Sequence, residues 1–334
     1  MKPVLEVKDL HVHFYTYAGV VKAISGVSFV VYEGETFSLV GETGCGKSVT
    51  ARAITRLIES PGRIVKGSII YHTSNGPIDL LKIPEESLRR IRGKDISYIF
   101  QDPSASLDPL YHIGRQIAES MVEHKTVENM KKGIKRAIEL LKIVLIPDAE
   151  KRIKAFPHEL SGGMKQRVVI ATSIANNPKI LIADEPTTAL DVTIQAQILK
   201  FLLKLKEKYN ASLILITHNM GIVAEVSDRV AVMYAGKIVE MGRVMNIFKR
   251  PYHPYTRGLM NAVPNPLAKI EKLESIPGTV PNLINPPPGC RFHPRCPHVM
   301  DVCSREEPPM IEVEPGHQVA CWLYVKMGRE VYGG

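Results

Sequence analysis

One stretch of eight residues limits what this chain can fold into more than any other part of it. Residues 41–48 are Gly-Glu-Thr-Gly-Cys-Gly-Lys-Ser, the pattern G-x-x-x-x-G-K-S. An apolar run at residues 36–40 precedes the stretch, and a segment with helical character, Lys47 to Glu59, follows it. A strand, a glycine-rich turn and a helix in that order can aim several backbone N–H groups at one phosphate. The stretch therefore predicts a nucleotide-phosphate site within an α/β fold.

The fixed positions of this phosphate loop, residues 41–48, have separate physical roles. The Lys47 ammonium would reach the outer phosphates, and the Ser48 hydroxyl would ligate Mg²⁺. For Cys45 two interpretations stay open: the helix N–H groups could make it a reactive thiol, or it is a small residue that fits the turn. The residues expected to contact the nucleotide here are Gly41, Thr43, Gly44, Cys45, Gly46, Lys47, Ser48 and Val49.

Length and composition set broad limits. A chain of 334 residues suggests two domains, or one large domain with an appendage. The sequence has no apolar run of 18 residues and no leader-like start, so we expect a cytoplasmic protein that does not span a membrane. The net charge of +9 would suit nucleic acid, an anionic membrane surface or a surface rich in Lys and Arg. The densest basic patch, residues 131–136, is short and is best explained as a solvated helix face.

Hydrophobic periodicity predicts strands that alternate with helices. Apolar residues at helical spacing predict helices from about residue 112 to residue 158. Together the patterns predict a mainly parallel α/β sheet over about residues 1–245, with a helical insertion near 102–165. The strands are predicted within residues 4–40 and at 69–71, 96–100, 179–185, 212–217 and 229–240.

Three aromatic residues upstream of the phosphate loop are candidates to stack on an adenine base. The alternation places Phe14 on the buried face with Leu10 and Val12, so Phe14 is interpreted as core. Tyr15 and Tyr17 are the freer candidates, and the sequence does not choose between them.

A second helix with glycines at its start follows at residues 160–167, Leu-Ser-Gly-Gly-Met-Lys-Gln-Arg. Ser161 is a good N-cap for the apolar helix that comes after it. This helix terminus is either a second anion site or an ordinary capped helix, and its spacing alone does not decide.

Polar side chains follow two of the predicted buried strands. The strand at 179–185 ends in Asp184, which would bind Mg²⁺ directly or through water, and Glu185, which would polarise a water molecule. The strand at 212–217 ends at His218. Ligands of parallel sheets bind at the carboxyl ends of the strands, so His218 is a further candidate.

Taken together, these motifs resemble the ATP-binding cassette ATPases over the first 245 residues. The resemblance rests on the phosphate loop, Gln101, the signature Leu-Ser-Gly-Gly at 160–163, Asp184-Glu185, the turn ending in Asp191, and His218. It implies a P-loop NTPase fold with an antiparallel β subdomain and a helical subdomain, residues 1–250 forming the ATPase domain.

The family resemblance also implies roles in ATP hydrolysis. Glu185 would be the catalytic base, His218 would contact the γ-phosphate, and Gln101 would approach Mg²⁺ and the attacking water. Two cassettes would dock head to tail, so that Ser161, Gly162 and Gly163 serve the partner's ATP and Asp191 contacts the partner.

Further segments resemble the ATPases of dipeptide and oligopeptide importers: residues 101–109, 186–197 and 252–256. This implies a homologous second ATPase subunit, two membrane permeases and, indirectly, an extracytoplasmic binding protein, at the cytoplasmic face of the membrane. In isolation a homodimer or a monomer stays open. Nickel or oligosaccharide importers are the alternative cargo classes. A soluble cassette ATPase acting on nucleic acid is disfavoured, because the chain has a single phosphate loop.

The composition changes from Pro251 onward, and residues 251–334 are predicted to form an irregular, Pro-rich C-terminal extension. Four of the five cysteines lie there: Cys290, Cys296, Cys303 and Cys321. A cytoplasmic protein should not carry a stable disulfide framework, so the cluster indicates a metal site or reduced thiols. Zinc is weakened by the absence of a C-x-x-C pair. Four thiolates also suit a [4Fe–4S] cluster, and the resemblance favours it, since some importer ATPases carry one.

Overall fold

The computed structural model describes residues 1–187, 192–262 and 276–325. Asp191, predicted to contact a partner, lies outside these residues. The strands are β1 (Pro3–Thr16), β2 (Gly19–Tyr32), β3 (Thr36–Val40), β4 (Gly62–Thr73), β5 (Gly76–Asp79), β6 (Ile96–Ile99), β7 (Ile180–Asp184), β8 (Ser212–Thr217), β9 (Arg229–Tyr234), β10 (Lys237–Arg243), β11 (Ile311–Glu314) and β12 (His317–Val319).

The helices are α1 (Lys47–Ile54), α2 (Glu85–Ile91), α3 (Pro103–Ser106), α4 (Ile113–Glu123), α5 (Met130–Ile143), α6 (Ala149–Arg152), α7 (Gly162–Ile174), α8 (Val192–Tyr209), α9 (Met220–Val226), α10 (Val244–Lys249) and α11 (Pro254–Asn261). The described residues also include short 3₁₀ helices at Pro157–Glu159, His293–Arg295, Asp301–Ser304 and Trp322–Tyr324. No helix in the described ranges combines the length and the apolar character that crossing a bilayer requires.

The chain divides into two compact units. The first unit consists of residues 1–4, 32–34 and 82–215, and the second of residues 5–31, 35–81 and 216 onward. The phosphate loop therefore belongs to the second unit, whereas Gln101, the signature and the two carboxylates belong to the first. The division into an ATPase domain to residue 250 and an extension after it stays a prediction.

In the first unit, parallel strands end where the candidate carboxylates begin. The strand order is β8-β7-β6, and β6 pairs with β7 in parallel from Ile96↔Ile180 to Ile99↔Ala183. Every residue of β7 and β8 is buried, which is typical of strands covered on both faces. The parallel register brings the chain after β6 and the chain after β7 to the same edge.

The predicted helical insertion is confirmed as α4, α5 and α6. The buried face of α4 carries Ile113, Ile117 and Met121, and α5 approaches α4 closely at Gly133. A Cβ added to Gly133 would lie 2.9 Å from the Cβ of Ala118, so the two backbones need this small residue. The basic patch at residues 131–136 is on the outer side of α5, where its lysines are exposed to solvent.

Strands of two sheets lie in the described part of the second unit. The first has the order β2-β1-β4-β5, with antiparallel β1–β4 and β4–β5 pairs. The other runs β11-β12-β10-β9-β3, in which β3 and β9 are parallel and the remaining pairs are antiparallel. The extension is thus less irregular than predicted, because residues 311–319 form a hairpin whose β12 pairs with β10. Alternating residues on either side of the turn Pro315-Gly316 give this segment a strand pattern.

Helix α1 is shorter than the sequence suggested, ending at Ile54 rather than at Glu59. Arg56 adopts a left-handed conformation with φ +52°. Its N–H bonds the carbonyl of Ala53, and the N–H of Leu57 bonds the carbonyl of Arg52. This pair of bonds is a Schellman motif, which satisfies the last carbonyls of a helix and terminates it.

Candidate active site

The phosphate loop lies between β3 and α1, and its glycines pack against backbone. A Cβ added to Gly41 would lie 2.2 Å from the carbonyl oxygen of Met233. One added to Gly46, which has φ +103°, would lie 2.9 Å from the carbonyl oxygen of Ala23. Both positions therefore exclude a side chain, and Gly46 also needs a backbone conformation that favours glycine. At Gly44 a Cβ would meet no described atom within 4 Å, so the middle of the loop is open.

Lys47 lies folded over its own loop. Its Nζ donates to the carbonyl oxygens of Gly41 at 2.7 Å and Glu42 at 3.0 Å, and the residue is only 4% exposed. The loop carbonyls thus keep a full positive charge beside the open middle of the loop, where a phosphate would need it. Thr43 and Gly44 are exposed, while Ser48 and Val49 are half-buried in the first turn of α1.

Cys45 is not the reactive thiol that one interpretation expected. The residue is fully buried, and burial is the main cause that raises the pKa of its thiol. The Lys47 charge and the helix terminus oppose this effect but do not reverse it. The interpretation of Cys45 as a small residue that fits the turn therefore holds.

Glu42 has partners that sequence reasoning missed. Its backbone N–H donates to the Tyr255 hydroxyl at 2.9 Å. Its carboxylate receives two hydrogen bonds from the Arg295 guanidinium, at 2.8 and 3.1 Å. Tyr255 lies in a segment that resembled the importer branch, but no periodicity or motif connects it or Arg295 with the phosphate loop, 213 and 253 residues away in sequence.

In the first unit, Gln101 and the strand-end carboxylates come together. The Gln101 side-chain amide donates to the Glu185 carboxylate at 3.1 Å. Asp184 is 1% exposed and accepts a hydrogen bond of 2.7 Å from the Tyr98 hydroxyl. Tyr98 was predicted only as a strand residue, and the parallel β6–β7 pairing is what carries its hydroxyl to Asp184. Glu185 itself has φ +45°, a conformation that is uncommon for a residue with a side chain and that often marks functional sites.

The signature segment starts α7 as expected. Ser161 is its N-cap, and the Ser161 hydroxyl accepts a hydrogen bond from the N–H of Met164. Ser161 and Gly162 are exposed, and Gly163 is half-buried. A Cβ placed on Gly162 would be more than 4 Å from every described atom outside its own helix. The capped-helix prediction is confirmed, and the role as an anion site stays a prediction.

The other predicted contacts are at the surface of the second unit. His218 follows β8 and is exposed. Tyr17 is fully exposed in the turn between β1 and β2, whereas Tyr15 is 47% exposed and has the Arg63 guanidinium 5.7 Å from its ring centroid. Tyr17 is therefore the more accessible of the two candidates for stacking on adenine.

The four cysteines of the extension lie in one neighbourhood. Burial, together with the other thiols, raises the pKa of Cys290 to about 11 and that of Cys321 to about 12. The backbone N–H of Cys290 also bonds the carbonyl of Cys303 at 2.8 Å. Among the described residues, however, no group of three or more His, Cys, Asp or Glu side chains is arranged to hold a metal ion. The arrangement thus supports neither the zinc alternative nor the predicted [4Fe–4S] cluster.

Two protein-family profiles match the chain: "ABC transporter" at residues 24–188, and "Oligopeptide/dipeptide transporter, C-terminal region" at residues 239–303. The dipeptide transport ATP-binding protein DppD of Lactococcus lactis subsp. cremoris is 50% identical over 320 residues, 96% of this chain and 90% of that protein. The oligopeptide transport ATP-binding protein OppD of Bacillus subtilis is 51% identical over 321 residues, which are 96% of this chain and 88% of that protein. The chain belongs to the ABC transporter family.

Solved ABC cassettes share the fold. The dimeric, post-hydrolysis structure of the ATP-binding cassette MJ0796 bound to ADP and Pi matches with a TM-score of 0.64 at 26% identity, covering 72% of this chain and 98% of that one. The cassette cbiO1 of Clostridium perfringens, part of the transporter complex cbiONQ, matches with a TM-score of 0.61 at 28% identity. The match covers 75% of this chain and 92% of that one. The predicted family and the predicted P-loop NTPase fold are therefore both confirmed for this ABC cassette.

Proposed function

We propose that this ABC cassette binds and hydrolyses ATP to energise the import of dipeptides or oligopeptides. The observation that carries the proposal is the full-length likeness to peptide-transport ATP-binding proteins, at about half identity over 96% of the chain. The profile of the oligopeptide/dipeptide transporter C-terminal region supports it independently, because that match lies outside the cassette match.

Nucleotide binding would use the second unit. The N–H groups of the phosphate loop and the Lys47 ammonium would bind the phosphates, and Tyr17 or Tyr15 would stack on the adenine. His218 would contact the γ-phosphate. The support is local: the loop is open at Gly44, and Lys47 is fixed beside it by two carbonyls.

The residues proposed to bind Mg²⁺ and the attacking water carry oxygen donors. Ser48, Asp184 and Gln101 supply hydroxyl, carboxylate and amide oxygens, the hard ligands that Mg²⁺ prefers. The Tyr98 hydroxyl orients the Asp184 carboxylate. Glu185 would take up the proton of the water, and the Gln101 amide orients its carboxylate. Bound Mg²⁺ would neutralise charge on the transferring phosphoryl group.

The proposed site is completed by a second cassette. Ser161, Gly162 and Gly163 would face the ATP of a homologous ATPase subunit, and Asp191 would contact that subunit. The open surroundings of Gly162 and the dimeric state of the MJ0796 structure support this arrangement. In the cell the pair would bind two membrane permeases at the cytoplasmic face, and a substrate-binding protein would deliver the cargo.

Replacement of Glu185 tests the hydrolysis step. Glu185→Gln should keep ATP binding, reduce turnover on the order of 100-fold or more, and trap a nucleotide-bound dimer, because the amide cannot accept the proton. Binding, phosphate release and size in solution with ATP would be measured side by side. Wild-type turnover in the variant would refute the assigned role.

Uptake into vesicles that contain the cognate permeases and wild-type or Glu185→Gln cassette tests the cargo. ATP-dependent uptake of dipeptides or oligopeptides by the wild type alone is expected. Uptake of nickel or of oligosaccharides instead would replace the cargo assignment. Purification with DNA or ribosomes, and not with permeases, would contradict the transport role altogether.

We also propose that the four cysteines of the extension bind a [4Fe–4S] cluster. The proposal rests on residue type: the extension carries four cysteines and few large apolar residues, so a cluster would crosslink it, although the described side chains are not arranged to hold a metal ion. Anaerobically purified protein should be brown and contain about four iron atoms per chain, and Cys303→Ser should lower the iron content. A colourless, iron-free preparation that binds zinc would contradict the proposal.

A further inference from the structure

Glu42 is the point where the extension contacts the phosphate loop. Arg295 binds its carboxylate through two nitrogens, and Tyr255 accepts the hydrogen bond of its N–H. The carbonyl of the same residue accepts a hydrogen bond from Lys47. A single loop residue therefore links the extension to the charge that would meet the phosphates.

Arg295 is built into a site that fixes its direction. Its Nε donates to the carbonyl of Pro277 at 2.8 Å, and its other two nitrogens reach the Tyr234 hydroxyl and the carbonyl of Ile276 besides Glu42. All five N–H donors of the guanidinium thus have acceptors. Its side chain is 6% exposed, so the pair with Glu42 is shielded from solvent on the arginine side.

A group of buried aromatic side chains packs beside the pair of Arg295 and Glu42. The rings of Tyr234, Tyr255 and Phe292 lie within 4.6 to 5.4 Å of one another, measured between centroids. All three are fully or almost fully buried. Since closely packed interiors tolerate little displacement, the Tyr255 hydroxyl and the Arg295 guanidinium have defined positions relative to the loop.

Arg295 neutralises the charge of the Glu42 carboxylate in addition to filling space in the fold. A carboxylate in a loop that binds phosphates would repel them, and the repulsion grows with the charge of the ligand. Pairing with a buried guanidinium cancels this charge. Lys47 remains as the net positive group of the loop.

We propose that Arg295 is a positioning residue for nucleotide binding. By pairing with Glu42 it removes a negative charge from the phosphate loop and fixes the carbonyl that holds Lys47. The extension thereby sets the affinity of the cassette for ATP. This inference rests on the proposed function, since it concerns the same nucleotide site.

The test compares three ligands of different charge, ATP–Mg²⁺, ADP–Mg²⁺ and adenosine, by calorimetry on the full-length chain. Arg295→Gln should weaken ATP binding about tenfold, ADP binding less, and adenosine binding hardly at all, because the unpaired Glu42 repels phosphates. Glu42→Gln combined with Arg295→Gln should restore ATP affinity to within about threefold of wild type, because neither charge remains. Equal weakening for all three ligands, or no rescue by the second substitution, would overturn the proposal.

A matched control comes from a second arginine pair of the same unit. Arg229 at the start of β9 binds Glu35 at 3.1 Å, whereas Tyr234, which supports Arg295, is the last residue of that strand. Arg229→Gln should lower the midpoint of thermal unfolding, but it should not weaken the binding of ATP relative to the binding of ADP and adenosine.

Two further outcomes separate this inference from the proposed function. If the wild type binds no ATP, the proposed function fails. If the wild type binds ATP and Arg295→Gln binds it equally well, only the role of Arg295 fails. Should Arg295→Gln not fold, Glu42→Gln alone must leave the affinity for ATP unchanged or make it higher. A loss of ATP affinity in Glu42→Gln that is larger than its loss of adenosine affinity would contradict the charge argument.

Discussion

Two glycine-containing helix starts in this cassette are surrounded in opposite ways. In the phosphate loop, a Cβ on Gly41 would clash with backbone at 2.2 Å, and the extension binds the neighbouring Glu42. In the signature, a Cβ on Gly162 would meet no described atom within 4 Å, and the Ser161 hydroxyl caps the helix.

The difference indicates what each glycine is for. Gly41 allows the chain to pack against itself, so its requirement is fulfilled within the fold. Gly162 has room for a side chain in the described part of the cassette, so the fold itself gives no steric reason for glycine there. Glycines near two helix starts of one cassette therefore have different surroundings.

The largest effect should come from adding a methyl group at each place. Gly41→Ala should reduce the free energy of unfolding by about 3 kcal/mol, because the methyl group overlaps a carbonyl oxygen. Gly162→Ala should change it by less than about 0.5 kcal/mol while abolishing turnover in the assembled transporter. Urea unfolding and phosphate release would measure the two effects. Equal destabilisation by both substitutions would break the comparison.

The lysine of each helix start gives the next test. Lys47→Ala should weaken ATP binding to the isolated chain on the order of 100-fold, because a charged hydrogen-bond donor to phosphate is lost. Lys165, whose Nζ donates to the Ser104 hydroxyl at 3.3 Å, is the matched residue of the signature helix. Lys165→Ala should leave ATP binding to the isolated chain unchanged. An equal loss in both variants would mean that the signature binds nucleotide without a partner.

Acid should affect the two regions differently. Helix α11, which carries Tyr255, is capped by His253, whose buried imidazole accepts the N–H of Tyr255 at 3.1 Å. Burial lowers the pKa of His253 to about 4, although Glu240 opposes the shift. Because the folded pKa lies below the unfolded value of about 6.5, stability is complete above pH 6.5 and falls between pH 6.5 and 4, on the order of 3 kcal/mol.

His253→Asn serves as the control for that acid effect, since Asn caps a helix without titrating. Urea unfolding at pH 7 and pH 4.5 should show a smaller loss for the variant than for the wild type. The Ser161 cap of the signature helix contains no titrating group. An unchanged pH profile in His253→Asn would contradict the role of the imidazole.

The smallest effect concerns the hydroxyl beneath the phosphate loop. Tyr255→Phe leaves the N–H of Glu42 without its acceptor, which should cost about 1 kcal/mol of stability and weaken ATP binding about threefold. Tyr324→Phe, which removes a hydroxyl bonded to Arg257 instead, is the matched control and should leave ATP affinity unchanged. Calorimetry would measure the ATP affinity of both variants. Identical affinities would show that the Tyr255 hydroxyl does not stabilise the phosphate loop for ATP binding.

Much of the fold could be predicted because local sequence patterns determine where most strands and helices form. Alternation, apolar runs and helical spacing predicted the strands other than β5, β11 and β12, and the helices from α4 to α6. The phosphate loop and the Ser161 cap were predictable because short-range geometry determines them. The end of α1 was missed, since a left-handed Arg56 carries no signal as clear as a glycine would give. The hairpin of β11 and β12 was missed because the prolines and cysteines of the surrounding extension dominated the pattern.

The sequence by itself determined the family and the phosphate loop, and it predicted Gln101, Asp184, Glu185 and His218 as site residues, because each is tied to a recognisable motif. Only the tertiary structure decided which groups meet. Parallel pairing of β6 with β7 brings Gln101 to Glu185 and Tyr98 to Asp184. Packing of the extension brings Arg295 to Glu42 across 253 residues, a contact that no local pattern encodes because it depends on how distant segments pack together.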